Sequence, residues 1–549
     1  MNRPRRTTRR LLRASILAVA TLLLVGIGLP ASAAGYLRIS GEGSSWAGNA
    51  VAQWVSDVGA QGVTVDYTPN GSSTGRSDFA KEINADFAVT EIPFTGDTSD
   101  PQDTTVPQFP YVMLPIVAGG TSFMYNLNLG GKRFTDLKLS QQAIAGIFTG
   151  EITQWNDKAI AADNPGVDLP AQRITVVVRS EGSGATAQFT LWLLRQYPDL
   201  YRKLCAKAGC DPAHATSYYP HQNLSNFVAQ NGSNGVTAYT VANQFSINYD
   251  EYSYALGAQF PVAKVKNAAG FYTVPDQYAV AVALHVAKIN TDKGDPNYLS
   301  QDLSDVYQYG DPRTYPLSMY TYQVAPSVTH GGFDTQKGAT LGYFDQYSLC
   351  EGQRKMGNLG YSPLPMNLVL AALDQVKQIP GVDAATMGKI NATGQAVNAG
   401  SGNPCNNPTF KPGDSPDKNQ LLLEAPFPAD CTPDRCAAWG FTGAGPAPQQ
   451  NAGAKGPTGA SAGATAGPAA ANGAGQQQCD PDTGECGSGF VAFGSAANVK
   501  AVPMTLTGND GWAGPQTLMV VVILLVLLLL IGPPIVSHVV SSRTGRGGR

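Results

Sequence analysis

Arg179-Ser-Glu-Gly-Ser-Gly-Ala-Thr186 follows a β-branched run, Ile174 to Val178, and precedes an apolar helical pattern at Phe189, Leu191, Trp192, Leu193 and Leu194. Strand, Gly/Ser turn and helix in that order build a site for an anion. The first N–H groups of a helix have no partner within it, and the helix dipole favours negative charge there. Arg179, at the strand end, adds a planar fork of donors suited to an oxyanion. Two other turns have the same make-up: Gly41-Glu-Gly-Ser-Ser45, before Trp46, and Pro69-Asn-Gly-Ser-Ser-Thr-Gly75. A further strand, Asp86 to Thr90, ends at Glu91, which brings an acceptor rather than a donor.

Other chemistries fit less well. Gly41-x-Gly43 lacks the third glycine of a dinucleotide fingerprint, because Trp46 stands in its place. Gly71-Ser-Ser-Thr-Gly75 matches the nucleophile elbow of a serine hydrolase, with Ser73 as nucleophile. His214, His221, His285 and His330 lie downstream, so chain order permits a triad, but no Gly cluster of the oxyanion type precedes the elbow. No Cys-x-x-Cys occurs and the five histidines show no ligand spacing, so no metal or other cofactor is expected.

The elements that would position these turns repeat one unit. Leu37–Ser40, Val63–Thr68 and Ile174–Val178 each run as a short strand into small hydroxyl residues and then a helix. The first helix is marked by Trp46, Ala50, Val51, Trp54, Val55 and Val58, the second by a short stretch around Phe79 to Ile83. Such units give an α/β fold with a parallel or mixed sheet and a ligand at the carboxyl ends of its strands. The tyrosines at 218, 219 and 249–254 read as packing.

Charge and composition divide the 549 residues further. The net charge is −3, but nine arginines sit at the two ends; without them 28 basic residues face 40 acidic ones, a balance of −12. So acidic a body excludes nucleic acid as a partner, and any anion must be held by local donors. Residues 1–33 read as a signal peptide: basic from Arg3 to Arg13, apolar from Ile16 to Leu29, then Ala31-Ser-Ala33. Eight cysteines suit an exported chain with disulfides, Cys205/Cys210, Cys431/Cys436 and Cys479/Cys486 being close in sequence and Cys350/Cys405 the simplest completion. After residue 380 come a loop-rich, disulfide-bearing extension (381–442), an Ala/Gly/Pro/Gln linker (443–478) and a juxtamembrane segment (479–516). The apolar run 517–540 reads as a transmembrane helix kinked at Gly-Pro-Pro, and the basic tail 541–549 as cytoplasmic. The protein is thus expected in the cell membrane with its folded part outside. The anchored tail alone also allows a surface or adhesion protein.

Taken in order, the motifs resemble those of the extracytoplasmic phosphate-binding protein that serves the phosphate ABC transporter. Gly41 to Trp46 is similar to that family's opening Gly-x-Gly-x-Thr-Phe turn, Tyr67 to Gly75 to its Tyr-x-x-x-Gly-Ser-x-x-Gly, and Asp86 to Pro93 to its Phe-Gly-x-Ser-Asp-x-Pro. Arg179 to Thr186 resembles Arg-x-Asp-Gly-Ser-Gly-Thr, and the likeness runs from about Gly35 to about Lys377. It implies a two-lobed periplasmic-binding-protein-like (type II) fold: lobe 1 from residues 34–113 and 327–380, lobe 2 from 114–326, crossings near 111–117 and 321–326. It implies inorganic phosphate as ligand and permease subunits of an ABC importer as partners, with no catalysis. The implied phosphate contacts are Ser45, Trp46, Ser72, Glu91, Arg179, Ser183, Gly184 and Ala185, with Glu181 holding the Arg179 fork. Glu91 would accept the hydrogen bond of protonated phosphate and so exclude sulfate, which carries no proton at neutral pH. The chain departs from the pattern at Ser45, Trp46, Glu91, Glu181 and Ala185, where the family has Thr, Phe, Asp, Asp and Thr.

Overall fold

The computed structural model describes residues 35–94 and 105–442. The signal segment, the linker, Cys479 and Cys486, the apolar run 517–540 and the basic tail lie outside them. Among the described residues no helix is long and apolar enough to cross a membrane.

The first sheet starts with β1 (Ile39–Gly43), β2 (Val65–Thr68) and β3 (Phe87–Thr90), which pair in parallel with β1 in the centre. Helix α1 (Gly48–Gly59) leaves the end of β1 and buries Ala50, Val51, Trp54 and Val58, the face that the apolar spacing predicts. Helix α2 (Ser72–Ala80) starts well before the stretch expected around Phe79 to Ile83, within the Gly/Ser turn itself, so Ser72 and Ser73 are its first helical residues. Gly43 has φ +133°, and a Cβ there would lie 2.2 Å from the Val89 carbonyl; only glycine lets β1 turn off the sheet so close to β3.

The long strand β4 (Tyr111–Ser122) then leads to β5 (Tyr125–Asn126) in a second sheet. That sheet is completed by β6 (Thr175–Arg179), β7 (Phe227–Gln230) and β8 (Ser246–Asn248), with β7 and β8 parallel to β6 and β5 antiparallel to β8. Helices α3 (Gly184–Gln196) and α4 (Gly232–Ala242) follow β6 and β7. The two-residue β9 (Asp250–Glu251) returns to the edge of the first sheet beside β4. Helix α5 (Gln277–Leu284) and β10 (Ser318–Pro326) follow. β10 inserts antiparallel between β3 and β4, giving the order β9-β4-β10-β3-β1-β2.

The strands expected as crossings, near 111–117 and 321–326, belong to this β4–β10 pair, which is longer at both inner ends. β4 runs on to Ser122 and β10 starts at Ser318: Val112 to Ser122 is buried, pairs with β10 as far as Gly120 with one irregularity at Ile116, and pairs with β9 at Thr121 and Ser122. The second sheet starts at Tyr125, so the first residues of the segment 114–326 expected as lobe 2 belong to the long strand β4.

Helix α6 (Thr335–Leu349) and α7 (Met366–Val376) pack against the first sheet and α1. The segment read as loop-rich after 380 opens instead with a 15-residue helix, α8 (Ala384–Asn398), capped by Asp383 accepting from Thr386 N–H. Its buried stripe is Thr386, Ile390, Thr393 and Val397; two of the four are threonines, which hides the helical period. Disulfides join Cys205 to Cys210, Cys350 to Cys405 and Cys431 to Cys436.

Candidate functional site: a buried arginine and carboxylate between two sheets

The carboxyl ends of β1 and β3 in one sheet and of β6, β7 and β8 in the other converge on one place. β6 delivers Arg179, whose side chain is fully buried. Its Nε donates to Glu181 Oε1 at 2.7 Å, and a second guanidinium N–H points to the same oxygen. Glu181 Oε2 in turn accepts from the Gly232 N–H at 3.0 Å, fixing the loop after β7 to the loop after β6. Nη2 of Arg179 donates to Ser45 Oγ at 2.5 Å, across from the second sheet to the first. Burial works against the guanidinium charge, but Glu181 and Asp250 beside it hold it firmly protonated.

Glu91, at the end of β3, is the second buried charge-bearing group, with no exposed surface. Ser44 donates to Oε1, Ser72 donates to Oε2 at 2.7 Å, and Thr321 of β10 reaches Oε1 at 3.3 Å. Its backbone carbonyl accepts from Gln188 of α3 at 3.0 Å. Burial raises the affinity of this carboxyl for a proton, opposed by the Ser44 and Ser72 hydrogen bonds and the Arg179 charge. The start of α3 presses on it: a Cβ at Gly184 would lie 2.2 Å from Glu91 Oε2 and 3.0 Å from Ser72 Oγ. Gly184 is therefore required by the approach of a carboxylate to a helix N-terminus.

Ser45, Ser72, Glu91, Arg179, Glu181, Ser183, Gly184 and Ala185 thus come together at or beside these two groups. Ser183 caps α3 by accepting from Thr186 N–H, so its hydroxyl already serves the helix. Thr186 turns its hydroxyl to Tyr249, at 2.5 Å. Trp46 is core: its ring meets Tyr361 edge-on at 6.0 Å between centroids, and a Cβ on Gly119 would strike it. Its carbonyl accepts from the Tyr361 hydroxyl at 2.8 Å, so the side chain expected at the site lies in the core instead.

Several groups are missing from the sequence reading. Ser233 Oγ lies 3.0 Å from Ser45 Oγ and donates to Asp250 Oδ1 at 2.9 Å. Asp250 Oδ1 lies 3.7 Å from Arg179 Nη1. Tyr254 donates to the Ser45 carbonyl. Asn231-Gly-Ser233 follows β7 and opens α4, the same strand–turn–helix signal as the other turns, and was findable. Asp250 sits within the tyrosine-rich stretch read as packing, where nothing in the spacing marks it.

The hydrolase alternative has no machinery around Ser73. Its hydroxyl is buried and has no hydrogen-bond partner among the described residues, and Gly182 closes over it. His214 pairs with Asp211, His221 faces the Tyr219 carbonyl and His330 lies by Glu82 and Phe109.

The profile of the PBP superfamily domain matches residues 29–351. The phosphate-binding protein PstS 2 of Mycobacterium tuberculosis is 31% identical over 374 residues, covering 64% of this chain and 93% of that protein. The phosphate-binding protein PstS of Xylella fastidiosa is 30% identical over 336 residues, covering 61% of this chain and 83% of that protein. A solved periplasmic phosphate-binding protein, PfluDING with bound phosphate, superposes with a TM-score of 0.47 at 20% identity, covering 61% of this chain and 92% of that one. The chain belongs to the PBP superfamily and, within it, to the family of the PstS phosphate-binding proteins.

Proposed function

We propose that this protein binds inorganic phosphate outside the membrane and delivers it to an ABC-type importer. Family membership supports the reading, and one observation carries it: a buried guanidinium and a buried carboxyl lie within the same ring of serine hydroxyls. A dehydrated oxyanion needs fixed donors in place of water. Arg179, the hydroxyls of Ser45 and Ser183, and the N–H groups that open α3 and α1 supply them, and the Ser72 hydroxyl turns to the ligand from Glu91, to which it donates here. Glu91 takes the opposite part and accepts the hydrogen of a protonated ligand. Glu181 orients Arg179 by holding two of its donors.

On this reading the two sheets belong to two lobes that move about the β4–β10 pair, and the ligand is enclosed where Ser45 meets Arg179. Export by the N-terminal segment, the single membrane span at 517–540, and docking to permease subunits complete the proposal, with the linker keeping the lobes near the membrane.

Titration calorimetry of the chain with phosphate and with sulfate at pH 7 tests it. Phosphate is expected to bind at micromolar Kd or tighter and sulfate at least about a hundredfold more weakly, the size of a discrimination that leaves a buried polar group unpaired. Equal affinity for the two anions overturns it.

A further inference from the structure

Arg179 is flanked by two carboxylates, where holding its fork requires one. Glu181 binds its Nε side, and Asp250 approaches Nη1 from the opposite side at 3.7 Å. Asp250 is 2% exposed. Oδ1 accepts from Ser233 Oγ at 2.9 Å and from the Glu251 N–H at 2.8 Å. Oδ2 is buried and has no hydrogen-bond partner among the described residues. The groups facing Asp250 are Arg179 at the end of β6 and Glu181 of the loop after it, Ser233 of α4, and Glu251 and Tyr254 from its own stretch; β4, paired with β9, sets Ser122 opposite Asp250.

One guanidinium therefore stands against Glu181 and Asp250, with Glu91 and Glu251 close behind. With Glu181 and Asp250 both ionised, the immediate surroundings of Arg179 carry a net negative charge before any anion arrives. An incoming oxyanion adds one or two more charges in a place sealed from water, where such repulsion is poorly screened. The inexpensive relief is a proton from solvent on the carboxylate oxygen that has nothing to accept from. That oxygen is Asp250 Oδ2.

We propose that Asp250 makes this site respond to pH: acting through Arg179, it takes up one proton when the anion binds, so that binding favours acidic conditions. The inference rests on the phosphate reading above. Asp250 is a positioning residue that leaves Arg179 one ionised partner, Glu181, and frees the rest of its charge for the ligand. Its free-state proton affinity suits the task. Burial pushes the carboxyl up to about 6, opposed by Arg179, so it is mostly ionised at neutral pH and an added negative charge carries it across neutrality. The sign follows: the complex holds a proton that the free protein has lost, so affinity falls as pH rises above about 6, approaching tenfold per pH unit for one proton.

Phosphate affinity of the full chain, measured by calorimetry from pH 5.5 to 8.5, tests this against Asp250→Asn and Ser233→Ala. The parent is expected to lose affinity across that range, and Asp250→Asn to lose distinctly less per pH unit, since titration of the ligand and of Glu91 is common to both. Ser233→Ala keeps the carboxylate but removes a donor that favours its ionised form, so the break in the profile moves to higher pH. Parallel profiles for parent and Asp250→Asn, or, should that variant not fold, an unmoved break in Ser233→Ala, overturn the role of Asp250 and leave the phosphate reading intact. A parent that binds no phosphate at any pH overturns both.

Discussion

Glu91 differs from the family's aspartate by one methylene, and the structure shows what the longer arm reaches. Its two oxygens span from Ser44 and Thr321 to Ser72, so the carboxyl lies under the start of α3. On the proposed reading, an acceptor there would reject an oxyanion without a proton to give. Glu91→Gln keeps the size and one acceptor but presents N–H donors. It should weaken phosphate binding about tenfold and strengthen sulfate binding by a similar factor, read by competition between the anions; unchanged selectivity would show that Glu91 does not discriminate. At this scale the sequence was informative where a residue type has one strong use. An arginine at a strand end before Gly-Ser-Gly is marked by its neighbours, and Glu91 by ending a buried strand. Asp250 and Tyr254 carry no such mark, because their roles depend on a two-residue strand, β9, that only long-range pairing with β4 creates.

Elements explain why the turns were legible and the frame less so. Each Gly/Ser turn follows a strand and opens a helix, a local pattern that survives any tertiary arrangement. β4 is apolar from Val112 to Ala118 and then passes into Gly119-Gly-Thr-Ser122, and β10 opens on Ser318, so composition marks a break inside each strand rather than at its end. Helix α6 braces this pair through Asp345, which is fully buried behind it. Asp345 Oδ1 accepts from Gln323 Nε2 of β10 at 2.5 Å, while Oδ2 has no hydrogen-bond partner among the described residues. Burial pushes its carboxyl up to about 8. In the unfolded chain the same group ionises near 4 (roughly 3.9 for a free aspartate), so between these values the folded state keeps a proton that the unfolded state has lost. Stability then falls as pH rises through that window. Asp345→Asn retains an acceptor for Gln323 and removes the titration. It should melt higher than the parent at pH 8, by roughly 2–5 kcal/mol of stability, with the advantage vanishing near pH 4. A melting difference that is the same at both pH values would count against a buried neutral carboxyl.

At the scale of the described molecule, the extension after α8 runs from one side of the β4–β10 pair to the other. Cys350–Cys405 fixes it to the end of α6, and Asn407 and Thr409 hydrogen-bond the Leu364 carbonyl, all on the first sheet's side. Helix α9 (Gln420–Glu424) then packs on α5, and Arg313 donates to the Leu422 carbonyl at 3.1 Å. Beyond it Phe427, Cys431, Cys436 and Phe441 gather around Phe271, with the Arg435 guanidinium 3.9 Å from the Phe271 ring centre. Phe271 follows Lys264–Lys266, a strand parallel to Lys138–Ser140 in a further small sheet, and so belongs to the segment between β4 and β10. Thr321 faces Glu91 while its neighbour Tyr320, on the opposite face of β10, lines a cavity of about 110 Å3 together with Asp417 and Asn419 of the extension. The extension thus lies behind the crossing strands, opposite the site, and is tied on both sides of them. A tie in that place resists any rotation of one sheet against the other about β10. Chains ending at residues 442 and 418 both keep the Cys350–Cys405 bridge, but only the longer keeps α9 and the Phe271 cluster. Without phosphate, the 418 chain should show the larger radius of gyration in X-ray scattering, and saturating phosphate should bring the two profiles together. Identical radii without phosphate would mean that the extension rides on the lobes without restraining them.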